Sequence, residues 1–249
     1  MTMSGSEDHQ CSQCNKNGIT TKCSICQAAW YCNADCQKLD WGSHKANCTK
    51  AGCLQLIEAI TENKGDAVVR LAKTKRILNG KVDYTFLEKS PRTPGDRTTL
   101  KKWTALHQCV RLSNTKMMKI LLDRGANVEI KDDDGETPVF VASSSGDPEL
   151  VRLLLKAGAN PNVKAKDGWS ALMMASRDGH HQVVKYLLEA GADVFGARDM
   201  FGRTALDIAS LTAQGPSIRF SEGETMEEAR AKSQLVYTVL SEHVARNNM

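Results

Sequence analysis

Ile120-Leu-Leu-Asp-Arg-Gly125-Ala-Asn, Leu153-Leu-Leu-Lys-Ala-Gly158-Ala-Asn and Tyr186-Leu-Leu-Glu-Ala-Gly191-Ala-Asp say one thing three times, 33 residues apart. Each is an apolar helical run that stops at a glycine, the residue that accepts a left-handed backbone at a helix C-terminus without a Cβ penalty. About sixteen residues upstream of each stands a second phrase. Thr104-Ala-Leu-His, Thr137-Pro-Val-Phe, Ser170-Ala-Leu-Met and Thr204-Ala-Leu-Asp follow one another at intervals of 33, 33 and 34. Thr137, Ser170 and Thr204 suit the N-cap, and Pro138 suits the first helical position, where its missing N–H costs nothing. The period therefore predicts pairs of short helices. Such a pair leaves one apolar face open and holds together only when stacked on its neighbours.

A 33-residue period with this wording resembles the ankyrin repeat over roughly residues 100–249. The fold expected is mainly α, a solenoid of helical hairpins. Of the histidine usual in that wording only His107 remains, with Phe140, Met173 and Asp207 in the other units. His107 reads as a structural hydrogen-bonder. The resemblance implies binding through hairpin tips and inner helices, here marked by Trp103, Glu136, Trp169, Phe201 and Arg203. Aromatic and arginine side chains of this kind anchor protein interfaces.

The ends of the stack are irregular. Residues 54–99 read as a degenerate capping repeat, with a helix over Leu56–Ile60, a break at Gly65, a helix over Ala67–Leu78, and then a polar loop containing Pro91, Pro94 and Gly95. The last unit is interrupted by a polar insert near 214–226, and Leu235–Val244 supplies its second helix. Such an insert is expected to be disordered.

The N-terminus is a different material. Seven of the nine cysteines fall within residues 11–48. Joined by one histidine, they form four pairs: Cys11-x2-Cys14, Cys23-x2-Cys26, Cys32-x3-Cys36 and His44-x3-Cys48. A two-residue gap lets one tight turn aim two sulfurs at one ion, and residues at i and i+4 share one helix face. Eight ligands complete two tetrahedra and leave no open coordination position, the signature of structural zinc. So few apolar residues accompany them that metal binding is expected to supply most of the segment's folding free energy. Spacing alone permits sequential or interleaved pairing.

The run Trp30-Tyr31-Cys32-Asn-Ala-Asp-Cys36-Gln37, followed by Trp41, His44 and Cys48, resembles the MYND-type zinc finger over residues 11–48. That resemblance implies interleaved sites, with Cys11, Cys14, Cys32 and Cys36 on one zinc and Cys23, Cys26, His44 and Cys48 on the other. It also implies recognition of short proline-containing peptides, partly by strand addition, at Ser24, Gln37 and Trp41. On its own chemistry an indole beside a glutamine amide makes a platform for a proline ring, whereas Trp41 could equally be the finger's own mini-core. Finger plus repeats resembles the ankyrin repeat and MYND domain-containing proteins, with the order of the two parts inverted.

Charge narrows the function. Seven thiolates against two divalent cations lower the formal +4 to about +1, and the finger's lysines are balanced by acids, so nucleic acid is not an expected partner. No apolar run approaches the roughly 18 residues of a membrane span, and residues 1–10 read as a flexible polar tail. A metal-crowded cysteine pattern belongs to a reducing compartment, cytoplasm or nucleus. The function expected is a monomeric, non-catalytic adaptor with two Zn²⁺ per chain. Its finger would hold a proline-containing motif and its stack a second protein. The alternatives are an accessory subunit of a chromatin or transcription-regulatory complex, a protein-lysine methyltransferase, or a ubiquitin ligase. Both enzymes are disfavoured, the first because helical repeats account for the chain after residue 53, the second because a single histidine in seventh place does not match the ligand order of the RING type.

Overall fold

The computed structural model of this 249-residue chain describes residues 21–22, 30–31, 52–73, 75–83, 102–214 and 224–247. Outside the described residues lie all eight expected zinc ligands, Ser24, Gln37 and Trp41, the tail 1–10, the loop 84–101 and the core of the late insert, 215–223.

First among the described residues is a two-residue ladder, β1 (Thr21–Lys22) against β2 (Trp30–Tyr31), antiparallel with Lys22 opposite Trp30. Helices follow over residues 52–61 (α1), Gly65–Leu71 (α2) and Lys75–Leu78 (α3). Then β3 (Val82–Asp83) pairs antiparallel with β4 (Lys102–Trp103), so both ends of the long loop leave from one point. Four helix pairs complete the chain: α4 (Ala105–Arg111) and α5 (Thr115–Asp123); α6 (Pro138–Ser145) and α7 (Pro148–Lys156); α8 (Ala171–Arg177) and α9 (His181–Glu189); α10 (Ala205–Gln214) and α11 (Met226–Asn247). Inner helices α4, α6, α8 and α10 pack in one row and α2, α5, α7, α9 and α11 in a second.

Periodicity dictates the packing. In α7 the stripe Leu150, Val151 and Leu154 is fully buried, and Leu121, Leu172 and Leu187 are equally so in their own helices. Each such side chain contributes about 1.5–3 kcal/mol. The expected glycines sit in the left-handed region, at φ +76 for Gly125, +88 for Gly158 and +84 for Gly191.

A polar ladder joins the loops that follow these glycines. The Asn127 amide donates to Asn79 Oδ1 (2.8 Å), the Asn160 amide to Glu129 Oε1 (2.7 Å) and the Asp193 amide to Asn162 Oδ1 (2.8 Å). In the next turn the acceptor position is held by Phe195. The first rung starts from the divergent unit over 52–83, which is therefore a true member of the stack. Gln108 Nε2 donating to Thr61 Oγ1 (3.0 Å) and Arg124 Nη1 donating to the Val69 carbonyl (2.9 Å) fasten it to the first regular pair.

Two sequence expectations need correction. The break expected at Gly65 falls at residues 62–64, with Asn63 at φ +57, and Gly65 is the first residue of α2. The single helix expected over Ala67–Leu78 is split after Leu71 into α2 and α3. At the other end α11 starts nine residues before Leu235. Thr225 and Glu228 build a reciprocal cap there: the Thr225 amide donates to Glu228 Oε2 (2.9 Å) and the Glu228 amide to Thr225 Oγ1 (3.2 Å). At 22 residues α11 is about 33 Å long, against nine residues for each of the other three outer helices of the regular pairs.

Candidate interaction surface

Each regular repeat ends in a tight hairpin whose tip precedes the next inner helix. The Asp132, Ala165 and Asp199 amides donate to the carbonyls of Glu136, Trp169 and Arg203, closing three equivalent turns. A buried aspartate braces two of them. Asp132 Oδ1 accepts from the amides of Asp134 and Glu136, and Asp199 Oδ1 from those of Phe201 and Arg203. Asp199 also meets Arg203 at 2.6 Å. Burial pushes its carboxyl upward, but the side-chain and backbone bonds from Arg203 outweigh this and hold it below the usual carboxylate range. Ala165 leaves the middle turn without that brace, and Asp167 Oδ1 takes the Trp169 amide instead. Gly168 is required here: its φ is +85, and a methyl group on it would sit 2.5 Å from the Arg198 carbonyl oxygen.

Trp103, Glu136, Trp169 and Arg203 occupy one equivalent position, directly before the N-caps Thr104, Thr137, Ser170 and Thr204. Trp103 is half-buried and stacks on His107, ring centres 6.2 Å apart. Trp169 is half-buried beneath the guanidinium of Arg177, 5.2 Å away. Phe201 is 72% exposed, with Arg203 over its ring at 4.7 Å. His107 is fully buried and does what the sequence implied, bonding Thr104 Oγ1 (2.8 Å) through Nδ1 and the Glu136 carbonyl (3.3 Å) through Nε2. Beside it, Trp103, Arg111, Glu136, Phe140, Val141 and Met174 line a groove of about 420 Å³ on the inner-helix face.

Met200, expected from the sequence at the last tip, is 79% exposed. Phe195, 49% exposed, is a surface feature the sequence reading did not single out. Two lysines bridge successive tips through carbonyl oxygens, Lys131 Nζ to Lys164 (3.2 Å) and Lys164 Nζ to Gly196 (2.6 Å), and Arg198 Nη1 reaches Gly202 (2.8 Å) within its own tip. The signal for Phe195 was present in the sequence, since Glu129 and Asn162 hold the matching positions one and two repeats earlier. The cation bridges needed spatial register. Cys53 and Cys109, the cysteines outside the finger, are buried in α1 and α4. Burial pushes the Cys53 thiol up to about 11 and Cys109 higher still, so both pack as neutral thiols instead of metal-ready thiolates. Among the described residues no helix is long and apolar enough to cross a membrane.

Stacked helical hairpins with open tips define a repeat solenoid of the protein-binding kind. The chain belongs to the ankyrin repeat family, whose profile, in three copies, matches residues 25–165 and 141–220. Ankyrin repeats are typically a non-catalytic interaction module, and the role they indicate here is protein–protein interaction. Ankyrin repeat and SOCS box protein 3 of Homo sapiens is 48% identical over 44 residues, 18% of this chain and 8% of that protein. Histone-lysine N-methyltransferase ASHR1 of Arabidopsis thaliana is 42% identical over 43 residues, 17% of this chain and 9% of that protein. N-lysine methyltransferase SMYD2 of Rattus norvegicus is 43% identical over 47 residues, 18% of this chain and 11% of that protein. The chain thus spans about a tenth of the length of these relatives.

Proposed function

We propose that this chain is a non-catalytic adaptor that works in the cytoplasm or nucleus. Its repeat stack holds one protein, and a two-zinc MYND-type finger at residues 11–48 holds a short proline-containing motif. The observation that carries the reading is the ankyrin stack itself, with aromatic side chains at its tips and a groove walled by Trp103, Phe140 and Met174.

For the finger, the support is donor chemistry and connectivity. Seven thiols and one imidazole in four pairs suit two closed zinc sites. The register of Lys22 opposite Trp30 closes a loop, 23–29, that contains Cys23 and Cys26, whereas Cys32 follows the far end of the ladder. That separation favours the interleaved assignment, with Cys32 sharing its ion with Cys11, Cys14 and Cys36, and Cys23 and Cys26 sharing theirs with His44 and Cys48. Bound zinc supplies a fold here, and Ser24, Gln37 and Trp41 supply the peptide contacts. Two weak sites on one chain gain avidity through effective concentration.

Metal analysis of the purified chain is expected to give about two zinc ions per chain, and one or none removes the paired-site assignment. Trp41→Ala and Gln37→Ala are expected to keep the zinc and lose a proline-containing peptide. Affinity purification comparing wild type with Cys23→Ser tests the adaptor role, because finger-dependent partners vanish and stack-dependent ones stay. Short identities to two lysine methyltransferases make a methyl-transfer assay worthwhile. A blank is expected, and activity overturns the reading.

A further inference from the structure

We propose that the tips of the last two hairpins form a docking surface for an acidic peptide segment carrying apolar side chains, which rests on the adaptor reading and gives its stack-bound partner a chemistry. The surface is made contiguous by side-chain hydrogen bonds. Lys131 reaches the Lys164 carbonyl, Lys164 reaches Gly196 beside Phe195, and Arg198 reaches Gly202 beside Phe201. All three cations are exposed, and among the described residues none forms an ion pair with a carboxylate. A carbonyl fixes the direction of an ammonium or guanidinium without cancelling its charge, and it uses only one of the available donors. The row therefore offers prepositioned cationic donors. The other cation of this tip, Arg203, is neutralised by Asp199.

Next to the row stand Met200, Phe201 and Phe195, 79%, 72% and 49% exposed. Large apolar side chains grouped at a tip and rimmed by charge mark an interaction site. Complementary charge sets the partner's sign and apolar burial supplies the hold.

Other occupants fit less well. A polyphosphate backbone carries no apolar side chain to cover Met200, Phe201 and Phe195. A second copy using the same patch would set arginine and lysine against their like.

The test uses the full zinc-loaded chain and a fluorescein-labelled peptide of repeating Asp-Leu-Glu-Phe, read by fluorescence anisotropy. The comparison probes are its Lys-Leu-Lys-Phe counterpart, poly-glutamate of equal length and oligothymidylate. The acidic–apolar peptide is expected to bind most tightly, with affinity falling as salt rises. The double variants Lys164→Glu/Arg198→Glu and Met200→Asp/Phe201→Asp are each expected to weaken it by about tenfold or more. Thermal midpoints should hold, since these side chains are exposed. Equal binding of the basic peptide, tighter binding of oligothymidylate, or wild-type affinity in both double variants overturns the proposal. A partner protein lost with Met200→Asp/Phe201→Asp, when the acidic peptide never binds, refutes the assigned chemistry and leaves the adaptor reading standing.

Discussion

The first and second hairpins begin their inner helices with the same threonine and treat it in opposite ways. Thr104 shares its hydroxyl with His107 at 2.8 Å and its amide with the same ring nitrogen at 3.3 Å. Thr137 is equally buried, but the residue three ahead is Phe140, which offers no polar atom, and Thr137 Oγ1 has no partner among the described residues. An unpaired buried hydroxyl costs about 1–3 kcal/mol. Phe140 returns something else in exchange, for it walls the groove beneath Trp103. The fourth repeat answers the same problem with charge: Thr204 gives its amide (2.8 Å) and its hydroxyl (2.7 Å) to Asp207. What these repeats teach is that the fourth residue of the phrase decides whether a repeat spends that position on its own helix cap or on its binding face.

The largest effect is expected from His107→Ala, which opens a cavity and strands Thr104 and the Glu136 carbonyl, a loss of about 3 kcal/mol in urea denaturation. A change below half of that would break the contrast between the first two repeats. Thr204→Val removes the donor that Asp207 was placed to accept and is expected to cost about 1–2 kcal/mol, read as faster amide exchange in α10.

Acid should act next, and locally. Backbone and side-chain bonds from Thr204 hold Asp207 below the ordinary carboxylate range, and the same bonds from Thr225 do so for Glu228. A depressed carboxylate contributes its stability fully above the unfolded value of about 4 and loses it as pH falls through the lower folded value. Both caps belong to the last repeat, so α10 and α11 are expected to exchange faster than α4 and α5 as the pH is lowered through that window. Asp207→Asn with Glu228→Gln should flatten the difference, and an unchanged profile would count against carboxylate capping. The smallest effect is expected from Thr137→Val. It deletes the orphan hydroxyl at constant shape and should leave stability unchanged or raise it by up to about 1 kcal/mol. A clear loss would reveal a partner for that hydroxyl.

Much of the stack was legible because its signals are local. The glycines at 125, 158 and 191 and the caps at Ser170 and Thr204 are each decided within four residues, whereas Thr137 takes the expected cap position without a side-chain bond. The capping box Thr225-Met-Glu-Glu228 is equally local and was readable, yet it was absorbed into the insert because polar composition outweighed the pattern. Asn63 and Ser113 hide their turns, since they hold left-handed conformations, φ +57 and +47, where a glycine would have announced them. The tip bridges from Lys131 and Lys164 connect residues in different turns, and a charge pattern along the sequence does not show which oxygen a lysine will meet. Of the candidate site residues, those at the tips are placed and those of the finger lie outside the described residues.

The loop ladder that runs from Asn79 to Asp193 gives the array a direction of growth. Each unit hands an acceptor to the one after it, until Phe195 offers a ring in its place. A unit duplicated onto the C-terminal side would arrive with an amide that nothing greets, whereas one duplicated inside the row would find both neighbours ready. Lengthening by internal copying is thus chemically open to this chain, and lengthening at its tail is discouraged by one side chain.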